Sequence, residues 1–188
     1  MTRVTVILAV CMVCLSATPR KEASRPRIYG ISRVQFYSSN IPAARTFYKN
    51  VLNQAHDCGW CEGLPQNTFF FSNAQTISLS AVPSSPPADL LEEITFATDD
   101  IPQLRRYLQS QNIPVSKPAN PEDTHLTVTD PEGHLLGFVQ LSKHEDVTAR
   151  VIKAGILYEP HIIHAGFIVK NREAEDHFFK DILGFHLY

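Results

Sequence analysis

The chain has 188 residues, room for one ordinary domain with a real core plus further pieces. Its apolar fraction of 44% is that of a globular protein rather than a disordered one. A net charge of −2 leaves no basic field to gather phosphates, so nucleic acid is excluded as an expected partner.

Residues 1–17 read as a targeting signal. Arg3 supplies a short positive start, an apolar run from Val4 to Leu15 follows, and the small residues Ser16 and Ala17 stand before Pro19. The run is too short to span a bilayer and has the length of a signal-peptide core. The expected destination is therefore periplasmic or secreted, with no stable membrane span after cleavage. An uncleaved signal that anchors the chain is the alternative. Residues 18–27, with Arg20, Lys21, Arg25 and Arg27, form a basic linker. Of four cysteines, Cys11 and Cys14 fall inside the signal. Cys58 and Cys61 remain, and in an exported protein a local disulfide or free thiols is the first reading. A zinc cluster with His56 would need a further donor such as Asp57 or Glu62.

Residues 28–38 are rich in β-branched and aromatic side chains and predict a strand. Asn40, Ile41 and Pro42 are a helix start, a capping side chain followed by proline in the first turn. Ala43, Phe47 and Val51, beside Ala44, Tyr48 and Leu52, form one apolar stripe. Three short strands are expected next, around residues 58–61, 68–72 and 76–82, with a turn at Asn73 and Ala74. Ser84, Ser85, Pro86 and Pro87 are a linker. A strand at 93–98 is followed by Asp99 and Asp100, which cap a helix whose apolar face is Ile101, Leu104 and Leu108. Ile113, Pro114 and Val115 predict a short edge segment. Strands at 125–129 and 134–141 are joined by the tight turn Asp130, Pro131, Glu132, Gly133. Polar residues 142–153 connect to a third beginning, a strand at 162–169 and a helix at 173–183.

The order repeats. Arg33-Val34-Gln35-Phe36 and His164-Ala165-Gly166-Phe167 stand 131 residues apart, as do Phe47-Tyr48-Lys49-Asn50-Val51-Leu52 and Phe178-Phe179-Lys180-Asp181-Ile182-Leu183. Glu93-Ile94-Thr95-Phe96 adds a weaker copy at an offset of 60.

These segments, with the Asp130-Pro131-Glu132-Gly133-His134 turn and Leu183-Gly184-Phe185, resemble the vicinal oxygen chelate superfamily of glyoxalases, bleomycin-resistance proteins and extradiol dioxygenases. The resemblance implies an α+β fold of paired βαβββ modules, their curved mixed sheet surrounding a cavity. It implies a complete domain at 28–141 (modules 28–83 and 91–141), a connection at 142–159, and the truncated start of a second domain at 160–188. Active members hold one divalent metal through His, Glu or Gln side chains that line the cavity. Here the usual first-strand His falls on Arg33, its counterpart in the second module on Glu93, and the final-strand Glu on Gly137. Ile77-Ser78-Leu79-Ser80 offers only hydroxyls. An arginine repels a cation and stays charged, so no metal is expected for the first domain alone.

Arg33 and Glu93 are instead expected to line a ligand pocket as an ion pair. Glu93 is the one retained candidate ligand, and His164 stands where the first ligand of a second domain would be. A divalent metal (Fe, Mn, Ni or Zn) is thus expected only with that domain complete. His134 is read as a surface residue, and His125 as a strand residue able to face the cavity. No Ser-His-Asp set, phosphate-cradling loop or aromatic RNA motif is visible. The leading expectation is a glyoxalase- or dioxygenase-like protein acting on a small metabolite, with any metal chemistry in the incomplete second domain. The rival is a non-catalytic small-molecule binder of the resistance type. Modules of this family also pair between chains, which leaves a homodimer open.

Overall fold

The computed structural model describes residues 23–52, 67–72, 75–87, 89–120, 124–140, 162–166 and 168–186. The signal, both mature cysteines with His56, the strand expected at 58–61, the turn at 73–74 and the connection at 142–153 lie outside the described residues.

Segments rich in β-branched and aromatic residues form the strands β1 (Ile28–Ser38), β2 (Thr68–Ser72), β3 (Gln75–Ala81), β4 (Leu91–Thr98), β5 (His125–Thr129) and β6 (Leu135–Gln140). They form one open, mixed, curved sheet in the order β2-β3-β1-β4-β6-β5. Its two halves share one topology. In each, the first strand runs parallel to the last (β1 with β3, β4 with β6), which pairs antiparallel with the strand before it. The halves join where β1 and β4 run antiparallel, and register shifts along that seam bend the sheet. Residues 113–115 stay outside the ladder, beside β5: Ser116 donates its N–H to Thr127 O, and Thr127 donates back to Ser116 Oγ.

Three helices follow from their caps. α1 (Ile41–Thr46) opens on Asn40, whose side chain accepts from Ala43 N, and widens into a π-turn at Phe47–Val51. α2 (Ile101–Ser110) opens likewise on Asp100, which accepts from Gln103 N. α3 (Arg172–Asp176) opens on Asn171, accepting from Ala174 N, and widens at His177–Ile182. None of the described helices is long and apolar enough to cross a membrane.

The core lies between one face of the sheet and the helices. Ile94, Phe96, Leu126, Val128, Leu136 and Phe138 meet Ile101, Leu104 and Leu108 of α2, and Phe178, Ile182 and Leu183 complete the same cluster. The C-terminal helix therefore buries its apolar stripe against the first sheet, and Tyr107 Oη donates to Ile182 O at 2.8 Å. Gly184, at φ +69°, ends the helix in the left-handed region that favours glycine, with the Arg25 guanidinium lying against it. Phe185 then turns back onto Phe96, ring centroids 5.0 Å apart.

The strand expected at 162–169 does not form in its described part. No strand of the sheet pairs with it. The Gln75 side chain does so instead, accepting from Ile162 N and donating to Ile162 O, both at 2.8 Å. One amide thus satisfies both backbone groups of Ile162.

Candidate functional site

The face of the sheet opposite the core is polar. Strand register sets Thr76, Arg33, Thr95, Gly137 and Thr127 side by side, with Ser78, Gln35 and Glu93 in the next row. Gln35 Nε2 donates to Ser80 Oγ at 2.9 Å, and the hydroxyls of Thr68 and Ser78 bond at 3.0 Å. The hydroxyl-bearing stretch of β3 thus serves side-chain hydrogen bonds.

Arg33 and Glu93 meet at the seam between the halves. Arg33 Nη2 donates to Glu93 Oε1 at 2.9 Å, and Thr95 Oγ1 donates to the same oxygen at 2.5 Å. His125 Nε2 stands 3.6 Å from that oxygen, on the same face of the sheet. Burial by itself would raise the Glu93 carboxyl; the nearby His125 imidazole and the hydrogen bonds from Thr95 and Arg33, with the Arg33 charge, outweigh it and hold the pKa at about 2. Arg33 Nε is buried and has no hydrogen-bond partner among the described residues.

Gly137, where the family's usual final-strand ligand falls, is covered by this pair. A methyl group there would overlap the Glu93 carboxylate and crowd Thr95 Oγ1. Glu93 has taken the room a second ligand side chain would need. The donor set on this face does not fit the family metal: one position is a cation, one has no side chain, and the remaining carboxylate is bound to that cation. His164 is exposed, in the segment that Gln75 holds at Ile162.

A second group was not foreseen. Asp130, His134 and Glu175 each offer a ligand atom, and these atoms all lie within 4.8 Å of one another. His134 is not the surface residue expected. Asp130 Oδ1 caps the turn by accepting from Glu132 N and His134 N, and its Oδ2 lies 2.6 Å from His134 Nδ1, which draws the ring inward. Glu175 comes from α3; its Oε1 accepts from Glu132 N at 3.1 Å. Desolvation and then the Asp130 charge raise the Glu175 pKa. Asp130 and His134 share a turn, so their proximity was readable, whereas Glu175 lies over forty residues away with no spacing signal.

The geometry agrees with comparisons to known proteins. A family model described as Glyoxalase/Bleomycin resistance protein/Dioxygenase superfamily matches residues 30–138, more than half of the chain. A search of curated proteins finds no match. Among solved structures, a variant of homoprotocatechuate 2,3-dioxygenase from Brevibacterium fuscum is 17% identical with a TM-score of 0.48, over 66% of this chain and 36% of that one. The same enzyme in complex with 3,4-dihydroxyphenylacetate is 17% identical with a TM-score of 0.47, over 74% and 44%. An NAD-dependent benzaldehyde dehydrogenase from Legionella pneumophila is 22% identical with a TM-score of 0.40, over 58% and 98%. The chain thus spans less than half the length of these dioxygenases. With six strands in two like halves, a polar inner face and the matched segment spanning both, the chain belongs to the glyoxalase/bleomycin resistance/dioxygenase superfamily.

Proposed function

We propose that the polar face of the sheet binds a small anionic or polar metabolite through Arg33, without metal chemistry at that face. The observation that carries this reading is the buried Arg33 Nε with no acceptor, beside a Glu93 whose charge is already matched. Leaving a buried donor unmade costs on the order of 1–3 kcal/mol, which a ligand oxygen would recover. Glu93 holds the guanidinium in place and limits the charge the ligand must balance. The leader at residues 1–17 would place this binding outside the cytoplasm.

The rival is a metal-dependent glyoxalase- or dioxygenase-type enzyme acting on a small metabolite, with its metal held in a second domain that begins near His164. Its support is the exposure of His164, which leaves the imidazole accessible to further ligands.

Calorimetric titration of the full chain with a panel of small hydroxy- and keto-carboxylates distinguishes the two. Binding that survives chelator treatment and weakens at least about tenfold in Arg33→Gln is expected. Binding or turnover abolished by chelator and by His164→Ala, with Arg33→Gln unaffected, would establish the rival.

A further inference from the structure

The Asp130, His134 and Glu175 group lies away from the sheet's polar face, at the junction between the turn before β6 and the helix α3. Hydrogen bonds already stitch that junction. Glu132 donates its N–H to Glu175 Oε1 and accepts from the N–H groups of Lys170 and Asn171 on its own Oε1. One atom is left over. Glu175 is 4% exposed, and its Oε2 is buried with no hydrogen-bond partner among the described residues.

A buried carboxylate oxygen without a donor is costly, and its neighbourhood makes it worse. The groups whose charges act on Glu175 are Asp130 and Glu132, both anionic, and His134; no Lys or Arg is among them. Asp130 is itself buried, so two carboxylates face one another with one imidazole to offset them. Asp130 retains capacity despite capping the turn, because each carboxylate oxygen carries two lone pairs.

We propose that Asp130, His134 and Glu175 bind a divalent transition-metal cation that pins α3 to the turn preceding β6. One imidazole and two carboxylates suit Mn²⁺, Fe²⁺ or Zn²⁺, whereas Mg²⁺ and Ca²⁺ favour all-oxygen sets. Ligands about 2.1 Å from a tetrahedral zinc stand roughly 3.4 Å apart. The three donors lie within 4.8 Å of one another, and the 2.6 Å contact between Asp130 Oδ2 and His134 Nδ1 would open to admit the ion. Water fills the remaining positions. The role is structural: the ion joins a turn of the second module to the helix of the third beginning. It is independent of ligand binding at Arg33.

The test uses the full chain, stripped with chelator and titrated calorimetrically with Mn²⁺ and Zn²⁺. Mn²⁺ is the decisive probe, because thiolates such as Cys58 and Cys61 select zinc over manganese. One equivalent of Mn²⁺ is expected, bound at least about tenfold more weakly by Glu175→Gln and by His134→Gln, and unchanged in Glu93→Gln. Glu175→Gln keeps the acceptor for Glu132 N, so it should fold. In thermal melts the ion should raise the melting temperature of the parent chain and leave that of Glu175→Gln unmoved, while the ion-free variant is at least as stable as the ion-free parent. No Mn²⁺ binding by the parent, equal binding by Glu175→Gln, or loss of binding in Glu93→Gln would each overturn the proposal.

Discussion

Helices α1 and α3 begin alike and end differently. Asn40 and Asn171 cap them by the same side-chain hydrogen bond, and both widen into a π-turn over an aromatic pair. Phe47 and Tyr48 meet edge to face at 5.5 Å, and Phe178 and Phe179 at 5.3 Å. Yet Phe178 is 2% exposed and Phe47 is 48% exposed; Ile182 is 7% and Val51 68%. α1 touches the sheet along one edge, where Tyr48 stacks on Phe69 at 4.8 Å. α3 lies in a trough between α2 and the aromatic residues of β4 and β6. A shared capping asparagine and a similar FYKNVL/FFKDIL segment thus yield the same helix start and the same widened turn. What covers the apolar side is decided by which neighbours the chain has brought alongside.

The contrast is tested most severely by truncating the paired aromatics. Phe178→Ala should cost about 3–5 kcal/mol of unfolding free energy, and Phe47→Ala under about 1, in urea denaturation. Equal losses would mean that α1 is as deeply packed as α3 and would break the comparison.

Acid acts on the sheet that both helices share. Glu93 has a pKa near 2 in the folded protein, against 4.5 for the free side chain. Its folded value is depressed, so its contribution is present above about pH 4.5 and is lost as pH falls toward 2. The linkage amounts to at most about 3 kcal/mol. Glu93→Gln should flatten this part of the pH–stability curve while leaving the difference between the Phe47 and Phe178 variants intact. An unchanged slope would show that Glu93 is not held as described.

The smallest effect sharpens what the helices have in common. Asn40→Ala and Asn171→Ala should each cost about 1 kcal/mol, because capping is a local interaction indifferent to what lies beneath the helix. A cost at Asn171 several times that at Asn40 would show the cap of α3 to be part of its docking.

The amino-acid sequence by itself determined the elements whose causes are close along the chain. Asn40 and Asp100 mark helix starts because a side-chain oxygen reaches an N–H three residues on. Asp130 to Gly133 marks a turn because its residues bond one another. Runs of β-branched and aromatic residues mark β1, β4, β5 and β6 as strands. The superfamily resemblance further led to the expectation that Arg33 and Glu93 pair, and they lie 2.9 Å apart. Tertiary structure decided the rest. Residues 162–166 have strand-like composition, but a strand needs a partner edge, and the segment is held instead by the Gln75 side chain at Ile162. Glu175 reads as an ordinary exposed helix residue until α3 docks and turns it toward Asp130 and His134. Spacing encodes contacts within a turn or a helix; contacts across forty or more residues exist only once the backbone has been routed past itself.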